Sequence, residues 1–258
     1  VGKKTTHGWI CGDAVGEHHA KFVHRELGIT FGAPEIENRV NAVLVSSPDG
    51  EVKHPFEGAG YLLDRPKFAR RLLDEALKSG VEYRDSTQAV DLLTEGDYVS
   101  GVVCQDLRKK GSQPYGVPSK LVIDATGMST KLRRNLKIPS FIEKEIHRDD
   151  VEPTIRMQAR LADGLSVDPS YCEIYLDAER APGGYLWVFP KSSNKVNIGL
   201  GIQQKRTNKP LETLLNGWIS SRESSISLSQ IAFLHFPDST WPNKIQRGSA
   251  ACFVRNRR

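Results

Sequence analysis

The sequence predicts a mixed α/β (α+β) fold in which an α/β portion is followed by an antiparallel sheet. Three observations carry this. Phe68, Leu72, Leu73, Ala76 and Leu77 recur at helical spacing between Asp64 and Gly80. Ala89–Leu93, Tyr98–Cys104 and Leu121–Ala125 read as strands, the last stopping at Asp124-Ala125-Thr126-Gly127. From Thr154 the texture changes to alternating segments at 154–161, 171–176, 184–190 and 195–201.

Taken in order, residues 1–20 are irregular and contain Cys11-Gly12-Asp13-Ala14, after which a helix runs to Leu27 and ends at Gly28. Val40–Val45 alternates as a strand, and Ser47-Pro48-Asp49-Gly50 is a turn signal. Asp64 suits the N-cap of the next helix and Pro66 its first turn. A short strand is expected at Val81–Tyr83. Glu95-Gly96-Asp97 connects the first two strands that follow, and a loop at 109–118 leads into the third. Helix, strand, small meander and a strand ending in Gly127 is the order of a nucleotide-binding α/β domain interrupted by a meander. Ligands in such sheets sit beyond the carboxyl ends of the strands. The charged stretch Glu143–Asp150 places a boundary near 145–153. A helix is expected at 210–221 and a strand at Ile231–Phe236.

Composition excludes several classes. With 258 residues, 26% of them charged and 38% apolar, the chain reads as globular and long enough for one large domain or two small ones. The net charge of +5 is scattered apart from Arg255, Arg257 and Arg258, so nucleic acid is not an expected partner, although a weak attraction to anionic lipid surfaces is. Four cysteines, at 11, 104, 172 and 252, form no C-x-x-C pair and suggest reduced thiols in a cytoplasmic compartment. No run approaches the roughly 18 apolar residues of a membrane span, and no signal peptide is visible. His7, His18 and His19 lack a carboxylate at i,i+4, so no metal is expected.

Tyr185, Trp187 and Phe189 alternate along one strand bounded by Pro182-Gly183-Gly184 and Pro190, so all three rings point to one face. Such a face suits either the wall of a pocket for a long apolar ligand or a buried sheet face packed on a helix. Cys11 reads either as a small buried hydrophobe or, between Gly12 and Ala14, as part of a backbone that lies flat against a planar ring. Asp13 reads as a loop cap. Arg65, at a helix start, suits either a phosphate or solvent.

Four motifs carry a resemblance. They are Cys11-Gly12-Asp13-Ala14-Val15, Asp64-Arg65-Pro66-Lys67-Phe68, Val122-Ile123-Asp124-Ala125-Thr126-Gly127, and Pro182 to Lys191 followed by Asn194 to Gly201. Over residues 8–218 the chain resembles the geranylgeranyl reductase family, nearest its archaeal digeranylgeranylglycerophospholipid reductases. The resemblance implies a p-hydroxybenzoate-hydroxylase-like FAD-binding fold, FAD as cofactor, and reduction of isolated C=C bonds in isoprenoid chains. It implies that Cys11, Gly12 and Ala14 lie by the flavin and that Arg65 touches the FAD. Ala89 would meet the adenine end through backbone, while Asp124, Ala125 and Gly127 would line the FAD groove. Tyr185 and Trp187, with Phe189 on the same face, would wall the lipid tunnel. Cys11 is the first candidate for the proton donor. An electron donor, ferredoxin or NAD(P)H, is implied, as is peripheral contact with a membrane.

The family's N-terminal G-x-G-x-x-G and later Gly-Asp element have no counterpart here, so the chain reads as a fragment with an incomplete fold that binds FAD weakly or not at all. The expected parts are a partial FAD-binding domain at 1–150, an isoprenoid-binding sheet domain at 151–236 and an atypical tail at 237–258. The competing expectations are a related FAD-dependent monooxygenase or halogenase, and a non-catalytic lipid-binding remnant.

Overall fold

The computed structural model describes residues 11–126, 131–161 and 166–221. Two sheets organise them. Strands β1 (Ala14–Gly16), β2 (Ile36–Ser46), β3 (Lys53–Leu63), β7 (Thr154–Arg160), β8 (Tyr171–Tyr175), β9 (Tyr185–Pro190) and β10 (Lys195–Gly201) form one sheet in the order β1-β3-β2-β8-β9-β10-β7. Strands β4 (Thr87–Glu95), β5 (Tyr98–Asp106) and β6 (Tyr115–Pro118) form the other. The helices are α1 (Glu17–Leu27), α2 (Arg65–Lys78), α3 (Lys131–Arg134) and α4 (Leu211–Ser221). The described residues of 11–75 and 152–221 gather in one compact unit and those of 76–151 in a second. The chain re-enters the larger unit at Glu152. Residues 11–75 belong to that larger unit too, so three strands from before the boundary complete the C-terminal sheet.

Local chemistry accounts for most elements. Gly28 closes α1 with φ 68° and an N–H donated to the His24 carbonyl at 2.8 Å. Asp64 caps α2, accepting the Lys67 N–H at 3.2 Å and pairing with its ammonium at 2.8 Å. Gly96 and Asp97 make the two-residue turn between β4 and β5, in which Glu95 faces Tyr98. The β3 strand is absent from the sequence expectations because Pro55, Gly58 and Gly60 break its pattern. It forms because β1 covers only Gly60–Leu62, so Pro55 stands on a free edge and needs no donor there.

Two expected strands do not form. Val81–Tyr83 lies outside any ladder, and so does 121–126, where Leu121 and Ile123 are exposed. Apolar alternation alone makes no strand without a neighbour to share hydrogen bonds, and none pairs with 121–126 among the described residues. The strand expected at 231–236 and the tail at 237–258 lie outside the described residues.

The main core lies on one face of the seven-stranded sheet. Leu186 and Val188 of β9, Val196, Ile198 and Leu200 of β10, and Ile155 and Ala159 of β7 pack against Leu214, Leu215, Trp218 and Ile219 of α4. Tyr175 meets Trp218 edge-on, with ring centroids 5.2 Å apart.

Candidate functional site

The opposite face of the same strands carries the aromatics. Across the β9–β10 ladder Phe189 faces Asn197, Trp187 faces Gly199 and Tyr185 faces Gly201. The three rings form a row with centroids 6.2 and 6.0 Å apart. Gly199 is required beneath it, because a Cβ at that position would run into the Trp187 indole. Burial deepens along the row from Tyr185, 39% exposed, to Trp187, 6% exposed. Phe189, half-buried, packs against Val40, Leu62 and Cys172. Burial raises the Tyr185 phenol above its usual range, and the nearby Glu152 carboxylate adds to this.

The Cys11–Asp13 loop closes the Phe189 end. A Cβ on Gly12 would stand 3.1 Å from Phe189 Cε2 and 3.8 Å from Trp187 Nε1, so the loop backbone lies directly against the ring wall. The Cys11 thiol, half-buried, accepts a hydrogen bond from Arg65 Nη2 at 3.0 Å and one from the Asp13 N–H at 3.3 Å. Arg65 stacks over Phe68, with its guanidinium 5.7 Å from the ring centre. Cys104 and Cys172 are buried, and burial pushes the Cys172 thiol up to about 12.

Asp13 is no surface loop cap, which corrects the sequence expectation. It is 1% exposed, has φ 69°, and its Oδ2 receives Lys191 Nζ at 2.8 Å, Asn197 Nδ2 at 3.0 Å and Gln158 Nε2 at 3.4 Å. Lys191, also buried, donates to the Leu63 carbonyl at 2.8 Å and pairs with Glu37 at 2.7 Å, while Lys195 reaches Glu37 at 2.8 Å. The buried Asp13–Lys191 pair thus continues into the partly exposed Glu37–Lys195 pair, so two carboxylates neutralise two ammonium groups, the condition on which buried charge is tolerated. Burial pushes the Glu37 carboxyl up, but hydrogen bonds from Lys191 and Lys195 outweigh this and hold it below its usual range.

The structure therefore brings Cys11, Gly12, Arg65, Trp187 and Phe189 together, with Tyr185 at the open end of the row. Ala14 is exposed in β1, where it pairs with Leu62. Ala89, Asp124 and Ala125 belong to the second unit. Ala89 pairs with Cys104 beside a bulge in β4. Asp124 turns back to accept the Thr126 N–H at 3.0 Å and its hydroxyl at 2.6 Å. Burial raises the Asp124 carboxyl, yet these bonds and Arg133 leave it lowered overall. Ala125 is exposed, and Gly127 lies outside the described residues. Asn197, Lys191, Glu37 and Gln158 carry no expected role from the sequence. Lys191 offers the one usable signal, a charged residue directly after an apolar strand that has to find a buried partner.

Residues 5–166 match the FAD binding domain model, and residues 150–234 match the geranylgeranyl reductase catalytic domain. The chain belongs to the family of proteins with this FAD binding domain. It is 36% identical over 194 residues to the digeranylgeranylglycerophospholipid reductase of Sulfolobus acidocaldarius, covering 75% of this chain and 41% of that one. Against the Methanosarcina acetivorans protein of the same name the identity is 34% over 238 residues, covering 89% and 54%. The chain thus spans about half the length of the curated relatives it matches. A geranylgeranyl bacteriochlorophyll reductase-like crystal structure from Thermoplasma acidophilum shares the fold, with TM-score 0.72 and 24% identity over 86% of this chain and 53% of that one. A flavin-dependent brominase shares it at TM-score 0.63 and 17% identity, covering 83% and 52%, a likeness of fold alone.

Proposed function

We propose that this chain forms part of a flavin-dependent reductase that saturates C=C bonds of geranylgeranyl chains in membrane ether lipids. The observation that carries this reading is the Cys11–Gly12 backbone lying against Trp187 and Phe189 at the closed end of an aromatic row. The residues present fit an acceptor-rich planar group beside that loop. Arg65 Nε is buried with no hydrogen-bond partner, which leaves one guanidinium N–H for a cofactor oxygen or nitrogen while Nη2 holds the thiol. When bound and reduced, FAD supplies the hydride for one alkene carbon.

In this reading, Cys11, Gly12, Ala14 and Arg65 hold the ring end of the cofactor. Tyr185, Trp187 and Phe189 hold the isoprenoid chain straight and exclude water, since rigid rings lose little entropy on gathering a floppy ligand. The Cys11 Sγ proton serves the second alkene carbon, and Arg65 fixes that sulfur in place. Turnover also takes an electron donor of the ferredoxin or NAD(P)H class, and lipid delivered at a membrane surface by peripheral contact. No helix among the described residues is long and apolar enough to cross a membrane.

The test uses the protein expressed from its complete reading frame. FAD titration is expected to give a stoichiometric flavin spectrum. With reductant and a geranylgeranyl lipid, mass spectrometry is expected to show two hydrogens gained per bond. A flavin-loaded protein that leaves the lipid mass unchanged would overturn the proposal. Lipid retained without flavin would point to a non-catalytic binder.

A further inference from the structure

We infer that Asn197 is the positioning residue that sets the Cys11 loop and the Trp187 indole in register, a role that rests on the reductase reading above. Its side chain is fully buried, and both amide donors and the carbonyl oxygen are engaged, with three different groups. Oδ1 accepts the Trp187 Nε1–H at 3.1 Å, while Nδ2 donates to the Cys11 carbonyl at 2.8 Å and to Asp13 Oδ2 at 3.0 Å. The orientation of the amide is forced. The indole nitrogen can only donate, and the Cys11 carbonyl can only accept, so a flipped amide loses both bonds.

No other residue type of this size meets the demand. Aspartate can accept from the indole but cannot donate to Cys11, and it would face Asp13. Leucine can do neither. Glutamine is one methylene too long for a side chain with no exposed surface. The partners lie 186 and 10 positions away in the chain, so one amide joins the N-terminal loop to the aromatic strand. Gly199 leaves the space under the indole open, and a ring over a glycine has no side chain below to fix its rotation. The Asn197 bond supplies that constraint. Lys191 and Gln158 also hold Asp13, but Asn197 bonds both the thiol-bearing loop and the indole. An alkene resting on Trp187 and a proton on Cys11 meet only in that register.

The test is a double-mutant cycle read at Cys11. Trp187→Phe removes the indole N–H and keeps a ring, Asn197→Leu removes the amide at similar volume, and the third variant combines them. The rate of Cys11 alkylation by iodoacetamide is followed on its peptide by mass spectrometry, which requires neither flavin nor turnover. Trp187→Phe is expected to raise that rate about two- to tenfold, the scale of one net hydrogen bond, and to have no further effect once Asn197 is leucine. In the flavin-loaded protein, Asn197→Leu is expected to lower kcat about 30-fold or more while KM moves less than about threefold, because a misplaced near-attack geometry costs rate rather than binding.

Equal effects of Trp187→Phe in both backgrounds would overturn the inference. So would a folded Asn197→Leu protein with unchanged alkylation and kcat. If Asn197→Leu does not fold, Trp187→Phe alone decides, and an unchanged alkylation rate sinks the idea. A non-additive cycle in a protein that never reduces the lipid would keep the coupling and remove the reductase reading. A protein that reduces the lipid with an additive cycle would do the reverse.

Discussion

On one face of the seven-stranded sheet, Leu186, Val188, Val196, Ile198 and Leu200 close against α4, and each is less than 5% exposed. On the other face the intervening residues of the same two strands include Tyr185, Trp187, Phe189, Asn197, Gly199 and Gly201. Both faces come from one period-two pattern, but they solve different problems. The α4 face is filled by aliphatic side chains that ask only for volume. The opposite face mixes rings, glycines and one amide, and its polar atoms are satisfied by a loop that arrives from the other end of the chain. The difference teaches that alternation identifies a sheet face, whereas the polar partners distinguish one face from the other.

That contrast can be broken from either side. The largest effect is expected from Trp218→Ala, which empties the α4 face and should cost about 3–5 kcal/mol of stability, read as a fall in the denaturant midpoint. Lys191→Met comes next. It leaves Asp13 buried without its cation at the head of the ring face, and a loss of about 3 kcal/mol is expected from an uncompensated buried charge. A midpoint unchanged by Lys191→Met would show that the cluster relaxes into water. Cys11→Ala should separate chemistry from fold, with turnover falling about 100-fold, the scale of a lost general acid, while the melting temperature stays near wild type.

The smallest effect concerns acid. The Glu37 carboxyl titrates below its unfolded value of about 4.3, so its contribution is complete above about pH 5 and is lost as pH falls through that value and on to the lower folded one. Glu37→Gln should therefore flatten the fall of melting temperature between about pH 5 and pH 3 and leave pH 7–8 nearly flat. A steep acid limb that survives in Glu37→Gln would assign it to other carboxylates.

Much of this was legible in the sequence. The aromatic row, the helix capped by Asp64 and the hairpin at Gly96 follow from spacing and from local side-chain chemistry, which act within a few residues. The placing of Cys11 by the flavin came from the resemblance, and the structure sets its neighbour Gly12 against Phe189. What stayed hidden is long-range and polar. Asp13 and Lys191 are 178 positions apart, and each looks like a solvated residue until the fold removes its water. Asn197 sits inside a quoted motif, yet nothing in a single chain says that its amide reaches back to residue 11. The strand expected at 121–125 failed for the opposite reason, since local pattern was present and, among the described residues, a ladder partner was not.

The ladder between β2 and β8 is parallel, while every other described ladder is antiparallel. During translation β1, β2 and β3 emerge as a ribbon, with the Ala42–Ser46 edge still open. Its neighbour in β8 is made about 125 residues later, a delay on the order of 10 s at ordinary elongation rates. Through that interval the nascent chain exposes a valine-rich border that can pair with another copy. Yield of the protein in a host should then depend on chaperone supply and on elongation speed between residues 46 and 171 more than on the stability of the finished sheet.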